Sequence, residues 1–439
     1  MVSNLFHHLI GIVDTVFMGE LSTESSTPLA AIGVASLFFF VLSMMAYGFS
    51  IGAQIVIARR AGEGNKTAIG QIVQVTTGFL LFGGLLMALV VKLSGEWIFS
   101  LLVRSPEVQA ACVAYLDYRI WELIPSAFLL TLIAFYSGIG RTSIIMVSTV
   151  LMTIVNVVFN YGLVFGKLGM PRMEIAGAGL ASFIAALMAM TVLITHMYWK
   201  GYHREYLFSS RISASQSGHD NFSLLGKVSK LSVPIVVQHS LGTAVWFFFF
   251  MLLEKIGEEE LAVSNVIKMI YLLLGVTSWG LGSALNTVVS NLIGQNRRDD
   301  VMQATRRALW LSAGFSLVFV ASIFIWGDSM LRFFVPDRPD LVALGSEATI
   351  VAGGALFVMA VSNIWFRATT GAGATLFTLA MEFFALPFYV LFVLWAVNLE
   401  MPSSTVLSWA WGGEYVYWSI MALTSWWYMR SGRWKSKEV

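Results

Sequence analysis

Charge is what this sequence has least of. Only 12% of its 439 residues are Asp, Glu, Lys or Arg, against 57% hydrophobic, and the mean hydropathy is +0.76. A soluble domain carries about 25% charged residues, so a water-soluble fold is excluded and a polytopic membrane protein is indicated. Cysteine is almost missing: Cys112 stands alone, which excludes an intramolecular disulfide. The six histidines are dispersed, and neither a metal-ligand cluster nor a Ser/His/Asp arrangement is visible. A membrane-embedded enzyme is therefore disfavoured, and no cofactor is expected. Ten-residue stretches of alternating polarity are lacking too, which excludes a β-barrel. The net charge of +2 is silent on partners, and no nucleic acid is expected among them. The first apolar stretch has no basic start, so no cleavable signal peptide is read from it.

What is there is a series of long uncharged runs, including 25–58, 67–91, 142–166, 175–199, 231–253, 269–296 and 308–327. About 20 apolar residues span a bilayer as a helix. The runs resolve into twelve spans near 2–20, 30–56, 69–91, 117–138, 143–165, 176–199, 231–254, 262–290, 306–326, 347–367, 371–397 and 405–429. With both termini placed inside, the cytoplasmic segments hold 18 of the 27 Lys and Arg residues, from Arg59 and Arg60 to Lys435 and Lys437. That excess fixes the orientation, and the plasma membrane is the expected location. The expected organisation is an N-lobe over 1–199, a polar cytoplasmic linker over 200–230 and a C-lobe over 231–439.

The chain repeats itself at an offset of 232 to 233 residues. "HHLIGIVDTVF" at 7–17 lies over "HSLGTAVWFFF" at 239–249, and "LAAIGVAS" at 29–36 over "LAVSNVIK" at 261–268. Gly48 falls on Gly280 and Gly62 on Gly294; after a one-residue insertion Pro106 meets Pro339, and "SGIGRT" at 137–142 covers "TGAGAT" at 370–375. Shared leucines mean little between apolar helices, but Gly and Pro landmarks on one offset indicate duplication. Six spans per half is an even number, so the copies run parallel, with a substrate path expected at their interface. Pro234 would fall on residue 2, so the inner end of the first span is expected to lie before Met1.

Duplication turns each polar residue into a comparison. Asp14 maps onto Trp246, and Asn156 and Asn160 map onto Tyr389 and Val393. An Asp at a helix centre costs about 2.5–3.5 kcal/mol on insertion scales, and a requirement of the fold would recur in both copies. A carboxyl group at that depth suits proton exchange or cation binding, because burial and neighbouring charge shift its protonation equilibrium. Asn156 and Asn160, four apart, share a helix face and offer carbonyl oxygens to sodium or amides to a carboxyl group. His7, two turns from Asp14, is read as a vestibule or packing residue. Glu382, whose match is Thr149, marks a second polar site. Glu254 and Lys268 are placed to pair across a short outer loop. Asp117, Arg119 and Glu122 are read as opening the fourth span at the outer interface, where charge is tolerated. Glu414 lies near the outer start of the twelfth span, without an assigned role. Tyr47, Tyr136, Tyr161 and Trp246 are candidate cavity residues for cation–π contact with an organic cation.

In order along nearly the whole chain, the motifs resemble the multidrug and toxic compound extrusion (MATE) family. They are "IVDTVFMGEL…LAAIGVAS", "GFSIGAQIVIARRAGEGN", "SGIGRT", "NVVFNYGLVFG" followed by "IAGAGLAS", "LGSALNTVVSNLIGQNRR" and "TTGAGAT". The resemblance implies an all-α fold of twelve helices in two six-helix lobes. It also implies antiport of organic cations against Na⁺ or H⁺, and a first-lobe site that falls on Asp14, Asn156, Asn160, Ala178 through its carbonyl, and Ser182. If sodium is the coupling ion, Asp14, Asn156 and Asn160 would hold it. Asn160 stands where many relatives have Asp, leaving one formal charge. The acids that other members carry on the seventh and tenth spans are missing from "VPIVVQHSLGTAVW" and "VMAVSNIWF", where Gln238, Ser362 and Asn363 remain.

The leading reading is a monomeric, cation-coupled exporter working by alternating access, with small organic cations and the bilayer as its partners. The alternative is a lipid-linked saccharide flippase of related architecture, which calls for a basic interlobe cavity. The few Arg and Lys residues within spans speak against it.

Overall fold

The computed structural model describes residues 14, 17, 18, 21, 27–206 and 217–436, with backbone only over 217–220. His7, the bounds of the first span, Arg211 and Lys437 lie outside the described residues. Every regular element among the described residues is helical. Helix α1 is Thr27–Gly62, α2 Lys66–Leu102, α3 Pro106–Arg119, α4 Leu123–Gly138, α5 Ser143–Phe165 and α6 Glu174–Trp199. After a short helix at Tyr202–Glu205 follow α7 Ser217–Glu254, α8 Glu258–Gly294, α9 Asp300–Phe334, α10 Pro339–Gly371, α11 Thr375–Val397 and α12 Ser403–Arg430. Among the described residues, ten stretches are long and apolar enough to cross a membrane, one of them the combined α3–α4 over Pro106–Gly138. Asp14, Phe17, Met18 and Leu21 are helical residues of the first span. Helix α7 reaches back to Ser217, through residues whose polarity reads as linker in the sequence.

The helices are apolar on their outer faces as well as within. Leu93 is 87% exposed, Trp310 78% and Phe82 68%. In water such faces would aggregate; in hydrocarbon, where a helix satisfies its own backbone, they are the required surface. Pro234 sits inside α7 and Pro387 inside α11, as spans tolerate better than soluble helices do.

Contacts divide the chain into two units, Val2–Val236 and Val237–Val439. In the first, α1 packs on α2, α3 and α4, α2 on α4, and α6 on α3, α4 and α5. In the second, α8 packs on α9 and α10, α9 on α10, and α12 on α10 and α11. These are the same partnerships shifted by one repeat, with α3–α4 in the place of α10. The turns repeat too. Gly64 and Asn296 both take positive φ, +73° and +61°. The next amides, of Asn65 and Arg297, donate to Arg60 O and Leu292 O at 2.9 Å each. Gly140 and Gly373 match at +74° and +84°. Just before them, a Cβ on Gly138 would meet Ala58 N at 3.2 Å, and one on Gly371 would meet Asn286 O at 2.5 Å. Those glycines exist because α4 and α10 each cross a neighbour at backbone distance.

One difference breaks the match. Helix α10 runs without interruption through 33 residues, whereas α3–α4, also 33 residues, tightens to a 3₁₀ turn at Ile120–Glu122. A 3₁₀ stretch within a helix often marks a functional element. This one directly follows Arg119 at the end of α3 and carries Glu122 into the core of the first unit.

Candidate ion-coupling site

Helix α5 presents Asn156 and Asn160 from one face, both with no exposed surface. Helix α6 brings Ser182, 1% exposed, with Ala178 fully buried one turn earlier. The first span brings Asp14, 2% exposed. These side chains meet. Asn160 Nδ2 donates to Asp14 Oδ1 at 2.8 Å, Ser182 Oγ to Asp14 Oδ2 at 3.3 Å, and Asn156 Nδ2 to Ser182 Oγ at 3.2 Å. The four side chains that sequence reasoning placed in one site thus form one hydrogen-bonded cluster, with Ala178 beside it.

Two further members correct that reading. Arg119 and Glu122 do not lie at the outer interface. Arg119 Nη1 donates to Asp14 Oδ2 at 2.9 Å and also bonds Ser182 Oγ. Its Nε lies 3.0 Å from Glu122 Oε2, and Glu122 is only 5% exposed. The guanidinium is roofed by the Phe39 ring, 4.7 Å from its carbon, with the Tyr115 ring at 5.7 Å. The physical reason is the length of the helix. Ser105 caps and Pro106 opens α3, so Arg119 sits thirteen residues in, about 20 Å along the axis at 1.5 Å per residue. A span opening at 117 would have left it at the surface. Asp117 does stay partly exposed, paired with Lys92 at 2.6 Å.

Asp14, Glu122 and Arg119 sum to one negative charge in a buried setting. Removing one partner of such a pair costs about 3–5 kcal/mol because it strands the other. Among the described residues of the site, Asn156 Oδ1, Asn160 Oδ1 and Tyr115 Oη have no hydrogen-bond partner, while Glu122 Oε2 is engaged by Arg119. Hard oxygen donors beside net negative charge make an arrangement suited to a small cation or a proton.

The equivalent region of the second unit is built differently. On the repeat offset Asp14, Tyr115, Arg119, Glu122, Asn156, Asn160 and Ala178 fall on Trp246, Ala348, Ala352, Ala355, Tyr389, Val393 and Trp411. Six of these are buried members of one hydrophobic cluster, against which Trp246 packs. Three alanines on α10 make room for aromatic rings where α3 and its 3₁₀ turn carry Tyr115 and the ion pair. Trp246 lies 6.2 Å from Tyr271 and 6.4 Å from Trp411, ring centre to ring centre, so it serves this core.

The remaining expected residues scatter. Glu382 on α11 is 3% exposed and accepts from Tyr417 Oη at 2.7 Å and from Gln238 Nε2 at 3.2 Å, so Gln238 and Glu382 do share a polar site. Glu414 on α12 is equally buried and accepts from Trp418 Nε1 at 2.8 Å and Tyr271 Oη at 3.2 Å. Asn363 donates to Ser278 O at 2.8 Å, a bond between helices α10 and α8. Tyr136 is fully buried, donating to Leu193 O at 3.0 Å; this is a packing position, not a cavity wall. Tyr161 is 45% exposed, and Tyr47 is partly exposed. Glu254 and Lys268 form no ion pair among the described residues; Lys268 donates to Asn265 Oδ1 at 2.8 Å and covers the Phe250 ring.

The MatE family profile matches residues 1–162 and again 234–395. The two matches start 233 residues apart, which is the offset of the repeat. A probable multidrug resistance protein NorM of Thermotoga maritima is 22% identical over 100% of this chain and 92% of its own length. A second NorM protein, from Synechococcus, is 26% identical over 74% of this chain and 66% of its own. Among solved structures, the Vibrio cholerae MATE transporter VcmN in its bent form superposes with a TM-score of 0.85 at 16% identity, covering 99% of this chain and 96% of that one. A MOP superfamily transporter from Pyrococcus furiosus, for which a binding pocket of reverse polarity suggests a different function, superposes at 0.86 and 17% identity, with 100% and 94% covered. These structures share the fold of twelve helices in two lobes.

Proposed function

This chain belongs to the MatE family, a family of transporters and not of enzymes, and on that premise we propose that it exports organic cations by antiport against Na⁺ or H⁺. The names of its curated relatives, multidrug resistance proteins, support the substrate class. The protein is a multi-pass membrane protein. We place it in the plasma membrane with both termini cytoplasmic, on the bias of Lys and Arg among its loops. The N-lobe over 1–199 and the C-lobe over 231–439 would move relative to each other in alternating access, joined by 200–230.

The observation that carries the coupling role is the Asp14 cluster. A carboxylate is held at depth by Asn160, Ser182 and Arg119 in one half of a duplicated chain. The other half fills the same positions with a packed aromatic core. A ligand shifts an inward–outward equilibrium only through different affinity for the two states. The coupling ion acts here by binding Asp14 from outside and favouring the state that releases the organic cation. Asp14→Asn should therefore abolish ion-driven efflux of a fluorescent organic cation from proteoliposomes, with insertion and expression preserved. Efflux in that variant that still follows an imposed pH or sodium gradient would sink the proposal. A lipid-linked saccharide flippase calls for free basic charge at depth, and Arg119, the basic residue at this site, is neutralised by Asp14 and Glu122.

A further inference from the structure

Arg119 stands on the flank of Asp14 that an incoming metal cation would need. Asp14 Oδ1 is taken by Asn160 Nδ2 and Oδ2 by Arg119 Nη1 and Ser182 Oγ. The guanidinium is pinned on its other sides by Glu122 and the Phe39 ring. A sodium ion on the Asp14 oxygens would lie about 4 Å from that fixed positive charge. Like charges at such a distance, with an effective dielectric constant near 20, weaken binding by about a thousandfold. A proton meets no such obstacle. It bonds to one carboxyl oxygen, needs no shell of oxygen ligands, and brings the cluster from one negative charge to zero.

We propose that Arg119 is the selectivity-determining residue of the site, an internal cation that reserves Asp14 for a proton and excludes sodium. This rests on the coupling role of Asp14 proposed above and adds which ion it takes. The repeat supports a functional origin, since Arg119 and Glu122 appear in the half that has Asp14 and are Ala352 and Ala355 in the half that does not. A structural arginine demanded by the fold would recur. Among the described residues, the other groups facing the cluster are neutral: Tyr115 on α3, Phe39 on α1, Asn156 and Asn160 on α5, and Ser182 on α6. Lys92 on α2 is paired away with Asp117.

The converse is the sharper consequence. Without the guanidinium, the same buried cluster offers the carboxylates of Asp14 and Glu122, the unpartnered carbonyl oxygens of Asn156 and Asn160, and Ser182 Oγ. That is a hard-oxygen site of charge −2, suited to sodium.

The test compares the full-length protein with Arg119→Gln and with Arg119→Gln/Glu122→Gln, the second restoring one negative charge in case the first does not fold. Thermal unfolding in detergent, without substrate, is measured in NaCl against KCl at equal ionic strength. Efflux from proteoliposomes is then driven separately by pH and by sodium gradients. The expected result is a natural protein indifferent to sodium in both assays. Each folded variant should gain about 2–5 °C in Tm in 100 mM NaCl over KCl, and sodium-driven efflux should rise at least about tenfold. Sodium-driven efflux by the natural protein, or a folded variant still blind to sodium, overturns the proposal. Because the melting assay needs no transport, loss of coupling by Asp14→Asn is scored separately from loss of selectivity.

Discussion

Replacing Arg119 by Met tests the electrostatics of the cluster apart from transport. The methionine fills much of the volume under the Phe39 ring but leaves Asp14 and Glu122 buried without their shared cation. Stranding buried charge in this way costs about 3–5 kcal/mol. For a unit the size of Val2–Val236, where 1 kcal/mol moves Tm by about 2–4 °C, the variant should melt about 6–20 °C lower in potassium buffer. The decisive measurement is a cycle with Asp14→Asn. In the natural background that change puts an amide opposite Arg119 and Ser182, where Oδ2 accepted from both, and costs about 1–3 kcal/mol. In the Arg119→Met background it removes one of two unpaired like charges and should raise Tm. The sign inverts, with an interaction energy of at least about 2 kcal/mol, within the range seen for coupled sites. Dye-monitored melting of the four proteins suffices. An Arg119→Met variant as stable as its parent, or an Asp14→Asn effect of one sign in both backgrounds, would refute the reasoning.

Three further outcomes follow from particular positions. Gly371→Ala would set a Cβ 2.5 Å from Asn286 O, so α10 and α8 must part, and a loss of about 1–3 kcal/mol is expected by melting. Gly95→Ala, inside α2 with nothing within 4 Å of its Cβ, should not destabilise and should gain up to about 1 kcal/mol. Glu382→Gln keeps an acceptor for Tyr417 but turns a second donor toward Gln238 Nε2, which also donates to Thr378 O at 3.0 Å. It should cost about 1–3 kcal/mol while the ion that drives efflux is unchanged; a switch of driving ion would place coupling in the second lobe.

Much of this was legible in the sequence because helices in hydrocarbon obey simple length and charge rules. Where Gly and Pro recur on one offset, as at Gly138 and Gly371, the structure supplies the same backbone crossing in both units. Asp14, Asn156, Asn160 and Ser182 stand out because a polar side chain at depth is expensive wherever it lies. Arg119 and Glu122 were hidden by a boundary. Reading the charges at 117, 119 and 122 as the opening of the span moves its start from Pro106 to 117 and turns a buried ion pair into an interfacial one. The signal that finds them was already present: Pro106 and Pro339 are equivalent starts, and stepping from them sets Arg119 on Ala352 and Glu122 on Ala355. What no pattern in the sequence gives is that Asp14, over a hundred positions away, closes on that arginine.

The coupling role proposed for Asp14 would confine coupling to one copy of the duplication, and the second unit shows what fills the equivalent positions in its place. A buried acid, its arginine and two amides are poor at filling space with dispersion contacts, and their hydrogen bonds contribute modestly in net terms. The second unit keeps the same helix partnerships but replaces them with Trp246, Tyr389, Val393 and Trp411 against three alanines, trading large for small across the interface. Exchange of large for small residues is what tolerated core substitution requires. It removes the charges of Asp14, Arg119 and Glu122 at the equivalent positions, although buried Glu414 still accepts from Tyr271 in this core. It also means that Asp placed at Trp246 alone cannot create a second coupling site. It would meet Ala352 and Ala355 where Arg119 and Glu122 should stand, with no amide from Tyr389 or Val393, and would strand a charge in the aromatic core.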